Sequence, residues 1–174
     1  MTEITLAQGV SATLSGDKVT IKGPLGTNEK QFNDALLKVE IKGSKILVEP
    51  SPVNKKFLKK AATAELSLVK ELSNDANGVV KYFEVNMEAV YAHFPMTIEV
   101  KPGFINIKNM LGERAARVAP IVGATKVEAK EKKLRIYGIK LEDVTQTAAN
   151  VRKACKVKHK DERVFQDGVY YAIE

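Results

Sequence analysis

Tryptophan is absent from this 174-residue chain, cysteine occurs once, histidine twice, and aromatic residues make up only 6% of the total. A single thiol, Cys155, excludes an intramolecular disulfide framework and any Cys-rich zinc site. Its helical spacing from Ala148 and Val151 marks it as a buried apolar thiol rather than a nucleophile. The two histidines, His93 and His159, are not within helical reach of each other, and neither has an acid at a metal-ligand or dyad spacing. His93, next to Phe94 and Pro95, reads as a packed or hydrogen-bonded residue at a strand end. The start, "MTEITLAQGV", carries an acid at position 3 and no long apolar run, so neither a signal peptide nor a transmembrane helix is expected and the location should be cytoplasmic.

Catalytic patterns are equally scarce. "GPLG" at 23–26 lacks the Lys-Ser/Thr of a P-loop and the spacing of a dinucleotide fingerprint, so it reads as a turn between strands. The acid pairs Glu142-Asp143 and Asp161-Glu162 are expected by chance at 28% charged residues, and adjacent residues on a helix do not face one another. No nucleophile, base and orienting group assemble from the sequence, so no enzyme activity, cofactor, metal or small-molecule substrate is expected.

What the chain does contain is a repeat. "VTIKGPLG" (19–26) is echoed by "INIKNMLG" (105–112), with Ile21, Lys22, Leu25 and Gly26 recurring as Ile107, Lys108, Leu111 and Gly112. Further on, Lys38, Val39, Glu40, Lys42 and Lys45 recur as Lys126, Val127, Glu128, Lys130 and Lys133. The offset shifts only from 86 to 88 residues, a loop-sized change that indicates tandem duplication of one supersecondary unit. Two modules, 1–82 and 83–174, follow from this, each near the lower size limit for a core of its own.

Within the first module, apolar and polar residues alternate on both sides of Gly16-Asp17 and again of Gly43-Ser44, which predicts two hairpins. The period then changes: Phe57, Ala61, Ala64, Leu68 and Leu72 fall three or four apart, predicting a helix capped by Asn54 after Pro52 and ending near Asn77-Gly78. The second module opens with an alternating strand over 82–92, followed by a hairpin at Pro102-Gly103. Its helix carries Glu142 and Asp143 at the start and Arg152, Lys153 and Lys156 at the end, as the helix dipole favours. The last segment predicts a turn at Asp167-Gly168 and a short strand. The order strand, turn, strand, strand, strand, helix occurs twice, and the fold class is α+β, a duplicated module of mostly antiparallel strands packed on one helix.

The net charge is +7 and the pI about 9.4, which makes a polyanion the default partner. Residues 1–82 net +3 and 83–174 net +4, but every arginine (Arg114, Arg117, Arg135, Arg152, Arg163) lies in the second module. The guanidinium fork suits phosphate better than a lysine point charge does. Within "RKACKVKHKDER" (152–163) six cations face two acids, and the alternation of Lys156, Lys158 and Lys160 would project them from one side of an extended segment. The earlier "NKKFLKK" is explained by the solvated face of a helix. With no ring-studded strand to stack single-stranded bases, and no DNA-reading motif, the pattern points to shape and phosphate recognition of folded RNA.

Four strings, "VYAHFPMTIEV" (90–100), "IKNMLGERAAR" (107–117), "QTAANVRKACKVKHKDERVFQDGVYY" (146–171) and the early "VTIKGPLG", together resemble the archaeal and eukaryotic branch of the large-subunit ribosomal protein L6 family over almost the whole chain. The resemblance implies two tandem α+β modules and a structural role in the large ribosomal subunit. It also implies contact with large-subunit rRNA, chiefly through the second copy, near the sarcin-ricin region where translation factors dock, with other large-subunit proteins as neighbours. DNA and membrane are not implied. Carried onto this sequence, it makes Arg152, Lys153, Lys156, Lys158, Lys160 and Arg163, with Arg114 and Arg117 of the second string, the candidate RNA contacts. It assigns Gly168 the positive φ of a turn glycine before the final strand. Thr145 and Met110 depart from the family pattern, which commonly has glycine and an aromatic at those places.

Overall fold

The computed structural model describes residues 2–51, 55–161 and 163–172; the predicted cap Asn54 and the acid Glu162 lie outside the described residues. The chain divides into two compact units, Met1–Tyr82 and Phe83–Glu174.

Unit 1 contains β1 (Thr2–Thr5), β2 (Ser11–Ser15), β3 (Lys18–Gly23), β4 (Gly26–Gln31), β5 (Leu37–Lys42), β6 (Lys45–Pro50) and the helix α1 (Leu58–Gly78). Strands β2-β3-β4 form one antiparallel meander and β1-β6-β5 a second antiparallel sheet. Helix α1 buries the stripe Ala61, Glu65, Leu68, Leu72, Asp75 and Ala76, three or four residues apart. The two acids in that stripe are paired rather than stranded. Thr2 Oγ1 donates to Glu65 Oε1 at 2.9 Å, and Asn28 Nδ2 donates to Asp75 Oδ1 at 3.1 Å.

Unit 2 repeats the plan with β7 (Phe83–Val90), β8 (Thr97–Lys101), β9 (Phe104–Lys108), β10 (Arg117–Pro120), β11 (Lys126–Lys130), β12 (Lys133–Gly138) and α2 (Leu141–Ala154). Strands β8, β9 and β10 form the meander with β9 central, and β7 pairs with β12, which pairs with β11. The echoed phrase therefore occupies equivalent places. Val19 and Ile21 in β3 and Ile105 and Ile107 in β9 are core residues of the two central meander strands. The second echo closes equivalent hairpins, Lys42 opposite Lys45 and Lys130 opposite Lys133. Both hairpins turn through a left-handed residue, Gly43 (φ +63°) in one and Glu131 (φ +50°) in the other.

Among the described residues each unit thus repeats six strands and a helix, of which the periodicity left out β1 and β4 in unit 1 and β10 in unit 2. The short β1 and the second edge of each meander lack a strong alternating signal, and pairing alone reveals them. Unit 2 also adds a thirteenth strand, β13 (Gly168–Tyr171), along the edge of β7 that β12 leaves open. The equivalent edge of β1 in unit 1 has no such strand among the described residues.

One core fills unit 2, including Met87, Ile105, Ile107, Met110, Leu134, Ile136, Val144 and Val151, with α2 packed against β10, β7 and β12. Met110 is fully buried in it. Thr145 is exposed and its hydroxyl donates back to Leu141 O at 2.8 Å, which serves the first turn of α2.

Candidate nucleic-acid interface

The acids Glu142 and Asp143 open α2 and Arg152 and Lys153 close it, so charge matches the helix dipole at both ends. Beyond Ala154 the helix closes through a turn at Cys155 and the chain continues without regular secondary structure. Lys156 and Lys158 are exposed on either side of Val157, which is buried in the core. At His159 the backbone turns left-handed (φ +59°), and the strict alternation ends there. Lys156, Lys158 and Lys160 nonetheless meet, with Lys153, around one surface depression of about 440 Å³. Leu111, Glu113, Arg117, Ala154 and Val157 complete its wall. None of the four lysines has a carboxylate partner among the described residues.

Arg117 lines the same depression but is engaged in holding the scaffold. Its Nη1 donates to Ala154 O at 2.9 Å, a carbonyl at the end of α2 that has no helical partner, and to Lys156 O at 3.0 Å, just beyond the helix. Its Nε and Nη2 donate to Glu113 Oε2 and Oε1 at 2.8 and 2.6 Å, a bidentate pair. That pair raises the Arg117 pKa and holds the Glu113 carboxyl below its usual range, the hydrogen bond being the larger cause in both. Four of the five guanidinium N–H groups are thereby used, so Arg117 sets the geometry of the basic segment.

The remaining candidates are dispersed. Arg114 is exposed in the bend before β10 and lines neither this depression nor the groove described below. Arg163, with a side chain 92% exposed, sits beside Asp161, Nε to Oδ1 3.3 Å. Arg152 points along the other side of α2, its guanidinium 5.9 Å from the centre of the Tyr171 ring.

Three sequence expectations are corrected. Gly168 does not adopt a positive φ; it is the first residue of β13. A Cβ at that position would lie 3.0 Å from the Tyr170 ring, so its small size serves close packing. The turn falls earlier, where Val164 and Phe165 N–H both donate to Asp161 O at 3.1 and 2.9 Å. Asp167 is buried and accepts the Ala92 N–H at 3.1 Å, fastening the segment to the end of β7. His93 is exposed, edge-on to Phe94 with ring centres 4.9 Å apart, because the chain leaves the sheet at Val90.

Cys155 is buried beneath this region, and burial pushes its thiol up to about 11. No cluster of His, Cys, Asp and Glu suited to a metal occurs among the described residues. Among the described residues no helix is long and apolar enough to cross a membrane.

Residues 94–168, which span the meander, α2 and the basic segment, match the family model described as Ribosomal protein L6. A protein of Methanocella arvoryzae named large ribosomal subunit protein uL6 is 40% identical over 97% of this chain and 93% of its own length. The chain belongs to the ribosomal protein L6 family. Proteins of the same name from Methanosarcina mazei (40% identical, 96% and 93% covered) and Staphylothermus marinus (38%, 97% and 91%) extend the match across archaea. These alignments run through both units, so the duplicated α+β architecture is that of the family.

Sequence reasoning passed over Phe165, Tyr170 and Tyr171, which the fold places beside the cations. No signal in a chain with 6% aromatics picks them out, because the strand that carries two of them is brought next to α2 only by pairing with β7.

Proposed function

We propose that this chain is a structural, non-enzymatic constituent of the large ribosomal subunit, cytoplasmic as part of that particle, and that unit 2 grips large-subunit rRNA. The observation that carries the reading is the ring of Lys153, Lys156, Lys158 and Lys160 around one depression, without acidic partners among the described residues. Cations on a pre-formed scaffold release condensed counterions from RNA while losing little side-chain and backbone freedom. Arg152, Arg163 and Arg114 extend the positive surface, and Arg117 holds it in place. The seat near the translation-factor-binding, sarcin-ricin region, and the neighbouring large-subunit proteins, are what the family resemblance supports.

The test is sedimentation of native lysate, with the large-subunit peak washed in high salt and probed for this chain. Retention followed by rRNA protection in the sarcin-ricin region supports the whole reading. Release at modest salt would reduce it to a loosely associated factor. The isolated 83–174 piece is expected to keep most of the affinity for rRNA, and transfer of that affinity to 1–82 would reverse the assignment of the binding unit.

A further inference from the structure

A second groove, of about 370 Å³, lies between the end of α2 and β13 and shares Lys153, Lys156 and Val157 with the first depression. Its floor is apolar: Cys155, Val157 and Val169 line it, all three buried. Its rim is cationic, formed by Arg152, Lys153 and Lys156, and three rings border it: Phe165, Tyr170 and Tyr171, exposed by 37%, 41% and 44%. Two of the rings already face cations. Lys160 Nζ lies 4.4 Å from the centre of Phe165, and the Arg152 guanidinium 5.9 Å from that of Tyr171.

Paired RNA is met through its backbone and its shallow minor groove, for which cations suffice and exposed rings offer nothing. An unstacked base differs: it has two apolar faces that stack on aromatic or guanidinium planes and a charged phosphate on each side. The groove offers that combination within the size range of small-ligand sites. Lys153 and Lys156 line both depressions, so the backbone of one RNA can pass from the lysine ring to the groove without a gap in positive charge. An extended peptide added to the edge of β13 is the rival occupant, but a peptide gains nothing from three cations at the rim unless it is acidic.

We infer that this groove seats a single unpaired nucleotide of the bound RNA, its base stacked on the ring of Phe165 or Tyr171 and its flanking phosphates held by Arg152, Lys153 and Lys156. The inference rests on the RNA-binding reading above and names the feature of the RNA that unit 2 selects.

The experiment is chemical probing of deproteinised large-subunit rRNA reconstituted with the full chain, reading base-edge modification and backbone cleavage in parallel. Wild-type protein is expected to protect the base edge of an unpaired nucleotide inside its backbone footprint. The double variant Phe165→Leu, Tyr171→Leu should lose that base protection, retain the backbone footprint, and bind about 5- to 150-fold more weakly, the range for removing one base stack. Both rings lie at the surface, and unchanged melting confirms that the variant is folded. Arg152→Gln, which leaves every ring in place, should weaken the same base protection. Identical base protections in wild type and the double variant, or a footprint confined to paired backbone, would overturn the inference while leaving RNA binding intact. Absence of any footprint would remove the RNA-binding reading itself. Perturbation of 168–171 by an extended peptide, with no RNA effect there, would assign the groove to a protein partner and overturn the inference.

Discussion

Replacing Arg117 by leucine separates its two possible roles, phosphate contact and scaffold clamp. The side chain is 22% exposed, and its Nη1 serves two main-chain carbonyls at the end of α2, those of Ala154 and Lys156. Hydrogen bonds from a charged donor contribute about 1.5–3 kcal/mol each when buried. Partial solvent access roughly halves that, and the Glu113 pair, whose acid is 42% exposed, adds little. The sum is about 1.5–3 kcal/mol. In a unit of this size each kcal/mol moves the melting temperature by about 4–8 °C, so Arg117→Leu should lower the melting of the isolated 83–174 piece by about 6–24 °C. Arg117→Lys should recover less than half of the loss, because one ammonium cannot span both carbonyls and the carboxylate. Circular dichroism melts supply the stability readout, and rRNA binding against salt supplies the other. Residual folded protein should show an unchanged log–log salt slope. Melting within about 2 °C of wild type, together with a slope smaller by about 0.7–0.9, would show that Arg117 neutralises a phosphate and would refute the clamp.

Charge reversal of Lys158 and Lys160 to Glu should weaken rRNA binding and flatten its salt dependence without lowering the melting temperature, since both residues are exposed; equal affinity would remove the basic segment from the interface. Cys155 should resist iodoacetamide at pH 8 in the folded protein and react fully in denaturant, rapid native labelling being the contrary result. Its pKa is raised by burial to about 11, so the stabilising contribution is fully present below the unfolded value near 9 and is lost as pH rises to 11. A fall of about 2–3 kcal/mol over that window is expected, and its absence in Cys155→Ala would confirm the source. Among glycines, Gly23→Ala should destabilise clearly, because the new Cβ would lie 2.6 Å from Val79 Cγ2 and 3.0 Å from Val79 O. Gly168→Ala should cost little, since the neighbouring Tyr170 ring is exposed and can swing aside; a larger loss at Gly168 in thermal melts would contradict this contrast.

Much of the architecture was legible because duplication writes itself into a sequence twice. Val19, Ile21, Ile105 and Ile107 occupy equivalent buried positions for the same reason that their neighbours match: each module needs an apolar central strand. The glycine turns at Gly16, Gly43 and Gly103 carry the positive φ that hairpins demand, and the 3.6-residue period located both helices. Gly168 shows the limit of such reasoning. A glycine after an aspartate looks like a turn, yet its role is set by a ring two residues away on the same face of β13.

For the interface, composition identified the basic segment but could not distinguish free cations from engaged ones. Arg117 and Arg163 look alike in sequence; one is tied to two carbonyls and a carboxylate, the other is almost fully exposed. By itself, then, the sequence determined the repeat, the α+β plan and the location of the positive charge, because these depend on residue type and local spacing. Only the tertiary structure decided which cations remain available and that Phe165, Tyr170 and Tyr171 stand beside them, since both depend on contacts between segments far apart along the chain. Strand β13 crosses back to β7, about 80 residues earlier, and that one antiparallel pairing creates the aromatic wall opposite α2.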